Sequence, residues 1–138
     1  MRNKMLLILM GAVVTGAIAP AWAHHAFSAE FDDKKPLKLV GRVTKMEWIN
    51  PHAWIHMDVE GEDGKMVSWM VELGPPNALL KRGWNKNSLP EGTQIVVDGY
   101  QSKDGELRLN GRDLTFPDGK KLFAGSSGTG APDERPEK

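Results

Sequence analysis

The sequence predicts an all-β domain with one short helix, and three observations support this prediction. Apolar and polar residues alternate over several short segments, which is the pattern of half-buried strands. Three Asp-Gly pairs, at residues 63–64, 104–105 and 118–119, mark tight hairpin turns. Three predicted strands precede a short helical segment, and two or three follow it. This order predicts a small OB-like antiparallel barrel of five or six strands, with a split sandwich of the same hairpins as the alternative.

Residues 1–23 have the features of a cleavable export signal. Two basic residues open the chain, an apolar run covers residues 5–18, and Ala-Trp-Ala at residues 21–23 is the small-x-small pattern that leader peptidase cuts. The apolar run is shorter than a membrane span requires, and no stop-transfer segment follows it. We therefore predict cleavage after Ala23 and a periplasmic or secreted protein that begins at His24.

The remaining chain divides into an arm, a domain and a tail. Residues 24–36 form an arm without clear periodicity, and Phe27 and Phe31 are candidates for docking it onto the domain. Residues 37–125 contain the predicted strands and the helix. Residues 126–138 hold Gly, Ser, Pro and charged side chains, a composition that predicts a disordered tail.

The first strand and the later elements follow from strand and turn signals. A long first strand is predicted over Leu37–Trp48, with a bend or bulge at Gly41. A short helix is predicted over Asn77–Arg82, because two prolines precede it and a glycine follows it. The later strands are predicted at Thr93–Tyr100, Glu106–Leu109 and Leu114–Phe123.

The second and third strands form a hairpin whose register can be predicted. If Gly61 pairs with Lys65 across the turn, every apolar residue of one strand meets an apolar residue of the other. A shift by one residue would place Ile55 opposite Glu72, which a buried face excludes. The predicted facing pairs are Val59 with Val67, Met57 with Trp69, Ile55 with Val71, and Ala53 with Leu73.

The same register turns a set of polar and aromatic residues outward. Trp54 faces Glu72 and His56 faces Met70 on the side of the hairpin where OB-type domains bind their ligands. Trp54 would supply flat apolar contact area for a sugar or a protein partner. The alternative is that the arm simply covers this face. The predicted ligand-binding residues are Asn50, His52, Trp54, His56, Met70 and Glu72.

The histidines suggest a second kind of site. An amino-terminal His24 would chelate through its amine and its ring, with His25 beside it, which suits copper. His52 or His56 would complete a three-nitrogen site, but not both, because four residues along a strand span about 13 Å. The alternative is that two histidines at a terminus bind metal only weakly.

Composition excludes several functional classes. The absence of cysteine excludes disulfides, thiolate metal sites and thiol catalysis. The chain has 18 basic and 18 acidic side chains, and the leader removes only basic ones, so binding to nucleic acid is not expected. No nucleophile motif, HExxH pattern or glycine-rich phosphate loop is present, so we expect no enzyme activity.

Four sequence blocks resemble an uncharacterised family of exported bacterial proteins. They are HHAFSAEFD from residue 24, NPHAWIHMDV from residue 50, WMVELGPPNALLKRGW from residue 69 and DGKKLFAG from residue 118. The resemblance implies a small, exported, mostly β domain that includes the segment after the leader. It carries over no activity, substrate or cofactor.

These observations predict a periplasmic, non-enzymatic module that binds a small ligand, a glycan or a protein partner. A periplasmic copper-binding protein that uses the amino-terminal histidine is the alternative. No transmembrane segment is expected after signal cleavage.

Overall fold

A computed structural model describes residues 26–126 and residue 129. The predicted leader, His24, His25 and most of the predicted tail lie outside the described residues, so the structure does not bear on those predictions.

Six strands and two short helices make up the described chain. A helical turn, α1, covers residues 26–30. The predicted order of three strands, a helix and further strands is confirmed. The elements after α1 are β1 Phe31–Glu47, β2 Trp54–Glu60, β3 Met66–Glu72, α2 Pro76–Lys81, β4 Gln94–Ser102, β5 Arg108–Thr115 and β6 Lys121–Phe123.

Five of the strands form a closed ring of pairings, in the order β1–β2–β3–β5–β4 and back to β1, and β6 extends β5. This arrangement, with α2 between β3 and β4, confirms the predicted OB-like, mostly antiparallel architecture. One feature differs from the predicted antiparallel barrel: the β3–β5 pair that closes the ring is parallel. The helix and β4 separate these two strands in sequence, so the chain re-enters beside β3 in the same direction.

The β2–β3 hairpin has the predicted register. Val59 pairs with Val67, Met57 with Trp69, Ile55 with Val71, and Trp54 with Glu72. The turn glycine adopts φ 76°, and the glycines of the other two Asp-Gly turns also have positive φ. Each turn therefore needs the conformational freedom of glycine at that position.

Two predicted strand boundaries are wrong. β1 begins at Phe31 rather than Leu37, because Phe31 pairs with Ser102 before a register shift that precedes Pro36. The predicted strands Glu106–Leu109 and Leu114–Phe123 are instead one continuous β5 and a short β6, joined by the third Asp-Gly turn.

Apolar side chains from every strand of the ring fill its interior. Ile55, Val71 and Leu109 are fully buried on three adjacent strands. Trp69 is buried as predicted, and Trp84 is 1% exposed, with its indole N–H donating to the Phe123 carbonyl at 2.9 Å. Because strand side chains alternate, the residues beside Ile55, Val71 and Leu109 must face outward.

Candidate functional site

A lateral row of outward-facing residues crosses four strands of the ring. Trp54 on β2 pairs with Glu72 on β3, Glu72 pairs with Asn110 on β5, and Asn110 pairs with Tyr100 on β4. Neighbouring strands lie about 4.8 Å apart, so these four side chains stand next to one another on one face. Glu72 and Asn110 are nevertheless only 7% and 2% exposed. Something outside the ring must therefore cover the middle of the row.

The segment that precedes β1 supplies part of this cover. The Phe27 ring stacks on Phe31 at 6.0 Å between centroids and meets Tyr100 edge-on at 5.6 Å. The Lys103 backbone N–H donates to the Glu30 carbonyl at 2.9 Å. The predicted docking of the arm through its two phenylalanines is thus observed, at the Tyr100 end of the row.

The cover is incomplete and leaves a cleft of about 360 Å³, which we name the outer cleft. Its walls come from the docked segment, from β2, β3 and β5, and from the chain after β6. Its polar and aromatic lining residues include Glu30, His52, Trp54, Glu72, Arg108, Asn110 and Ser126.

A histidine–carboxylate pair forms one wall of the outer cleft. His52 Nδ1 lies 2.6 Å from Glu72 Oε1, and the Glu72 side chain is only 9% exposed. The hydrogen bond to Glu72 raises the pKa of His52, burial opposes this effect, and the charges of Glu72 and Glu30 add to it. The pair fixes the imidazole through Nδ1, while no hydrogen bond to Nε2 is formed by the described residues.

Arg108 also lines the outer cleft, and the carboxylate of Asp104 holds its guanidinium. Its Nη2 lies 3.1 Å from Asp104 Oδ2, and its guanidinium lies 5.8 Å from the Phe31 ring centroid. The Ser102 hydroxyl also donates to Asp104, and this hydrogen bond is the main reason that the pKa of Asp104 is lowered. Both cationic groups of the cleft therefore already have a carboxylate partner.

Unsatisfied polar atoms are concentrated in this cleft. Among the described residues, five side-chain polar atoms are buried without a hydrogen-bond partner. Three of them belong to residues that line the outer cleft: Arg108 Nε, Asn110 Oδ1 and Ser126 Oγ. Buried polar groups in proteins are normally hydrogen-bonded, so this concentration sets the cleft apart from the rest of the surface.

The structure brings together three of the six predicted ligand-binding residues. His52, Trp54 and Glu72 line the outer cleft, whereas Asn50, His56 and Met70 are not among its described lining residues. Asn50 is exposed in the loop before β2. Its position in sequence predicts a place at the rim of the binding face, but it is not among the described residues that line the cleft.

His56 and Met70 belong to the next row of the sheet. Met70 is 40% exposed and pairs with both His56 and Arg108. His56 Nε2 lies 3.6 Å from Glu47 Oε2, beyond hydrogen-bond distance. The Glu47 carboxylate instead accepts a hydrogen bond from Lys45, which lowers the pKa of Glu47. The outer cleft reaches this row only through Arg108, whose guanidinium also lies over the Phe31 ring, and neither His56 nor Met70 is among its described lining residues.

Sequence reasoning missed Arg108, Asn110 and Ser126. Arg108 and Asn110 reach the cleft through the parallel β3–β5 pairing, which joins segments far apart in sequence. The Asn110-Gly111 pair is locally a turn signal, which concealed a residue of a buried strand. Ser126 was assigned to the tail, although its hydroxyl is buried beside the domain.

Of the four predicted copper ligands, only His52 and His56 lie among the described residues. Within residues 26–126, no group of three or more His, Asp or Glu side chains is placed to hold a metal ion. His24 and His25 lie outside the described residues, so a site that includes them stays a prediction. None of the described helices is long and apolar enough to cross a membrane.

Comparison with known proteins finds a family and a similar solved structure. The structure is the mitochondrial single-stranded DNA binding protein Rim1 from S. cerevisiae, with 12% sequence identity and a TM-score of 0.46 over 66% of this chain and 95% of the yeast chain. No curated protein matches the chain. The family model DUF6152 matches residues 12–110, which is well over half of the chain. The chain therefore belongs to DUF6152, a family of unknown function.

Proposed function

We propose that this protein is an exported, non-enzymatic binding module whose outer cleft takes up a small polar ligand. The observation that carries the proposal is the concentration of three buried, unpartnered polar atoms in one cleft of the described chain, on Arg108, Asn110 and Ser126. Leaving a buried polar group unsatisfied costs about 1–3 kcal/mol. A ligand that completes these hydrogen bonds recovers that free energy on binding.

The shape of the cleft favours a small ligand over a protein partner. Small-molecule sites are concave, have volumes of about 300–1,000 Å³, and combine aromatic walls with a few polar groups. The outer cleft, at about 360 Å³, has Trp54 on one wall and the His52–Glu72 pair beside it. OB-type domains bind ligands on this face of strands two and three.

Binding is a better interpretation than catalysis. The His52–Glu72 pair is a general base held by a carboxylate, and Ser126 lines the same cleft. However, Ser126 Oγ has no hydrogen-bond partner among the described residues, so it is not coupled to His52 as a serine nucleophile would be. This missing coupling supports the proposal that the cleft holds a ligand and does not attack it.

Export is the part of the proposal that depends on sequence alone. The basic start, the apolar run and the Ala-Trp-Ala site of residues 1–23 support it. Mass spectrometry of the protein recovered from the periplasm tests this step. The expected mass is that of a chain beginning at His24, and an intact leader would contradict it.

The binding proposal is tested with Trp54→Ala and a matched control, Met70→Ala. Both residues face outward on the hairpin, but only Trp54 lines the outer cleft. Each mature protein is dialysed against a polar small-molecule extract of the bacterial periplasm, and the retained molecules are identified by mass spectrometry. We expect Trp54→Ala to retain at most about a tenth of the wild-type amount of ligand. Below saturation this corresponds to a tenfold loss of affinity, or about 1.4 kcal/mol. Met70→Ala should retain the wild-type amount.

Thermal unfolding separates a binding role of Trp54 from a structural one. The indole is only partly buried, so we expect the melting temperature of Trp54→Ala to fall by no more than about 4 °C. A much larger fall would show that Trp54 holds the fold. Equal retention by wild type and Trp54→Ala would overturn the proposed site.

Copper binding is a second candidate, and one observation favours it. Ala26, to which His25 is covalently bonded, lines the same cleft as His52. Metal-ligating histidines characteristically bind the metal through one ring nitrogen and a carboxylate through the other, as His52 Nδ1 binds Glu72 here.

Calorimetry with Cu(II) tests this candidate in three forms of the protein. These are the mature chain, the same chain with one alanine added before His24, and His52→Gln. If the terminal amine and His52 are ligands, both altered proteins lose tight binding. Unchanged affinity in the extended chain would exclude the amine.

A further inference from the structure

Both basic side chains that line the outer cleft have a carboxylate partner before any ligand enters. The imidazole of His52 is paired with Glu72 at 2.6 Å, and the guanidinium of Arg108 is paired with Asp104 at 3.1 Å. Glu30 is a further carboxylate at the exposed rim, where water solvates it. An anionic ligand would meet this carboxylate and two basic groups that are already paired. A cationic ligand would compete with His52 and Arg108 for their partners, so the pairing of both basic groups favours an uncharged ligand.

The unpartnered atoms specify what that ligand must offer. Asn110 Oδ1 is an acceptor that needs a donor, and Arg108 Nε is a donor that needs an acceptor. They are alternate residues of β5, so their side chains leave the same face about 7 Å apart along the strand. Ser126 Oγ can act in either role. A ligand with several hydroxyl groups satisfies all three, because each hydroxyl both donates and accepts.

The aromatic wall completes this specification. Trp54 lies two strand positions from Asn110, about 10 Å across the sheet, with Glu72 between them. A sugar ring has apolar C–H faces and polar edges. It can therefore lay one face on the indole while its hydroxyls reach the carboxylate of Glu72 and the amide of Asn110.

We infer that the outer cleft binds a neutral carbohydrate, with Trp54 stacking on a sugar ring and Glu72, Arg108 and Asn110 holding its hydroxyls. This inference rests on the proposed binding function and names its ligand class. A nucleotide would also stack on Trp54. Its phosphate, however, would need a cation, and both cations of the cleft among the described residues have carboxylate partners.

The inference is tested by NMR titration of the ¹⁵N-labelled mature protein with defined compounds. The neutral probes are glucose, N-acetylglucosamine, cellobiose and chitobiose. The charged probes are glutamate, citrate and a thymidine oligonucleotide. We expect at least one neutral sugar to shift the Trp54 indole N–H and the amides of Glu72 and Asn110, with saturation at millimolar concentrations or below.

Asn110→Leu supplies the decisive variant, and Asn87→Leu is its matched control in an exposed loop. Asn110→Leu is expected to weaken sugar binding at least about tenfold, and Asn87→Leu to leave it unchanged. The heteronuclear spectrum of each variant shows whether it is folded. Should Asn110→Leu fail to fold, Arg108→Gln replaces it, with the same expected loss.

The possible outcomes separate the inference from the function on which it rests. A charged probe that shifts the cleft resonances when every sugar fails overturns the carbohydrate assignment and leaves the binding function intact. Sugar binding that Asn110→Leu does not weaken overturns the assigned contacts. If no probe shifts the cleft resonances, the carbohydrate inference falls. The dialysis experiment with Trp54→Ala then decides independently whether the cleft binds any small molecule.

Discussion

The inner and outer faces of β2, β3 and β5 satisfy opposite requirements, although they are made by alternate residues of the same strands. On the inner face, Ile55, Val71 and Leu109 are fully buried and entirely apolar. On the outer face, the adjacent Glu72 and Asn110 are almost as well buried but polar, and Asn110 Oδ1 has no partner in the described chain. The inner face is built for stability, whereas the outer face buries polar groups at a cost in stability.

This difference is what the proposed binding site would produce. Apolar burial contributes about 25 cal/mol per Å² to folding, and the outer face forgoes part of this contribution at Glu72 and Asn110. Buried polar groups without a partner are uncommon in proteins and need an explanation, which the proposed ligand supplies. The comparison therefore predicts that changes on the inner face lower stability, and that changes on the outer face alter binding.

The largest expected effect is on the inner face. Ile55→Ala removes apolar volume from a position with 0% exposure and should lower the free energy of unfolding by about 2–5 kcal/mol. Val40→Ala is the control, because Val40 is 49% exposed on β1, and we expect a change of less than about 0.5 kcal/mol. Urea denaturation followed by tryptophan fluorescence measures both values. A loss below about 1 kcal/mol in Ile55→Ala would show that this face does not dominate stability.

A smaller effect of opposite sign is expected on the outer face. Asn110→Leu replaces a buried amide, whose oxygen lacks a described partner, with an apolar side chain of similar size. Removing the unsatisfied group should raise the free energy of unfolding by about 1 kcal/mol. The same denaturation experiment measures the gain. A clear loss of stability would show that Asn110 is a structural residue, and the contrast between the two faces would then fail.

The sequence was sufficient to predict the faces of the hairpin but not the cleft. The register of β2 and β3 follows from matching apolar residues such as Ile55 and Val71 across a short turn, so local information decides it. The cleft also requires β5, which meets β3 only after α2 and β4 have intervened. Asn110 then carries a misleading local signal, since Asn-Gly is typical of a turn. Its partners on both sides hold it in a strand.

Local sequence information also could not predict the different surroundings of His52 and His56. From sequence, both are candidate ligand-binding residues, with His56 on the outer face of β2 and His52 just before this strand begins. In the structure, the two histidines have different carboxylate neighbours, since His52 lies beside the buried Glu72 and His56 lies beside the partly exposed Glu47. Only His52 is therefore fixed by a short hydrogen bond to a buried carboxylate, at 2.6 Å, whereas His56 Nε2 stays 3.6 Å from Glu47.

The smallest expected effect is the pH dependence that His52 gives to stability. The folded-state pKa of His52 is raised above its ordinary value of about 6.5, chiefly by the hydrogen bond to Glu72. The stabilisation from protonated His52 is therefore fully present below the unfolded-state pKa and is lost as pH rises through the folded-state pKa. Unfolding free energies measured between about pH 6 and 8.5, with a chelator present, should fall with pH in the wild type.

His52→Gln should flatten this slope, because glutamine keeps an amide donor for Glu72 but does not titrate. Asn87→Gln, in an exposed loop, is the control, and it should preserve the wild-type slope because it changes no titratable group. If His52→Gln kept the wild-type slope, the short His52–Glu72 contact would not couple stability to pH, and this part of the contrast between the two faces would fail.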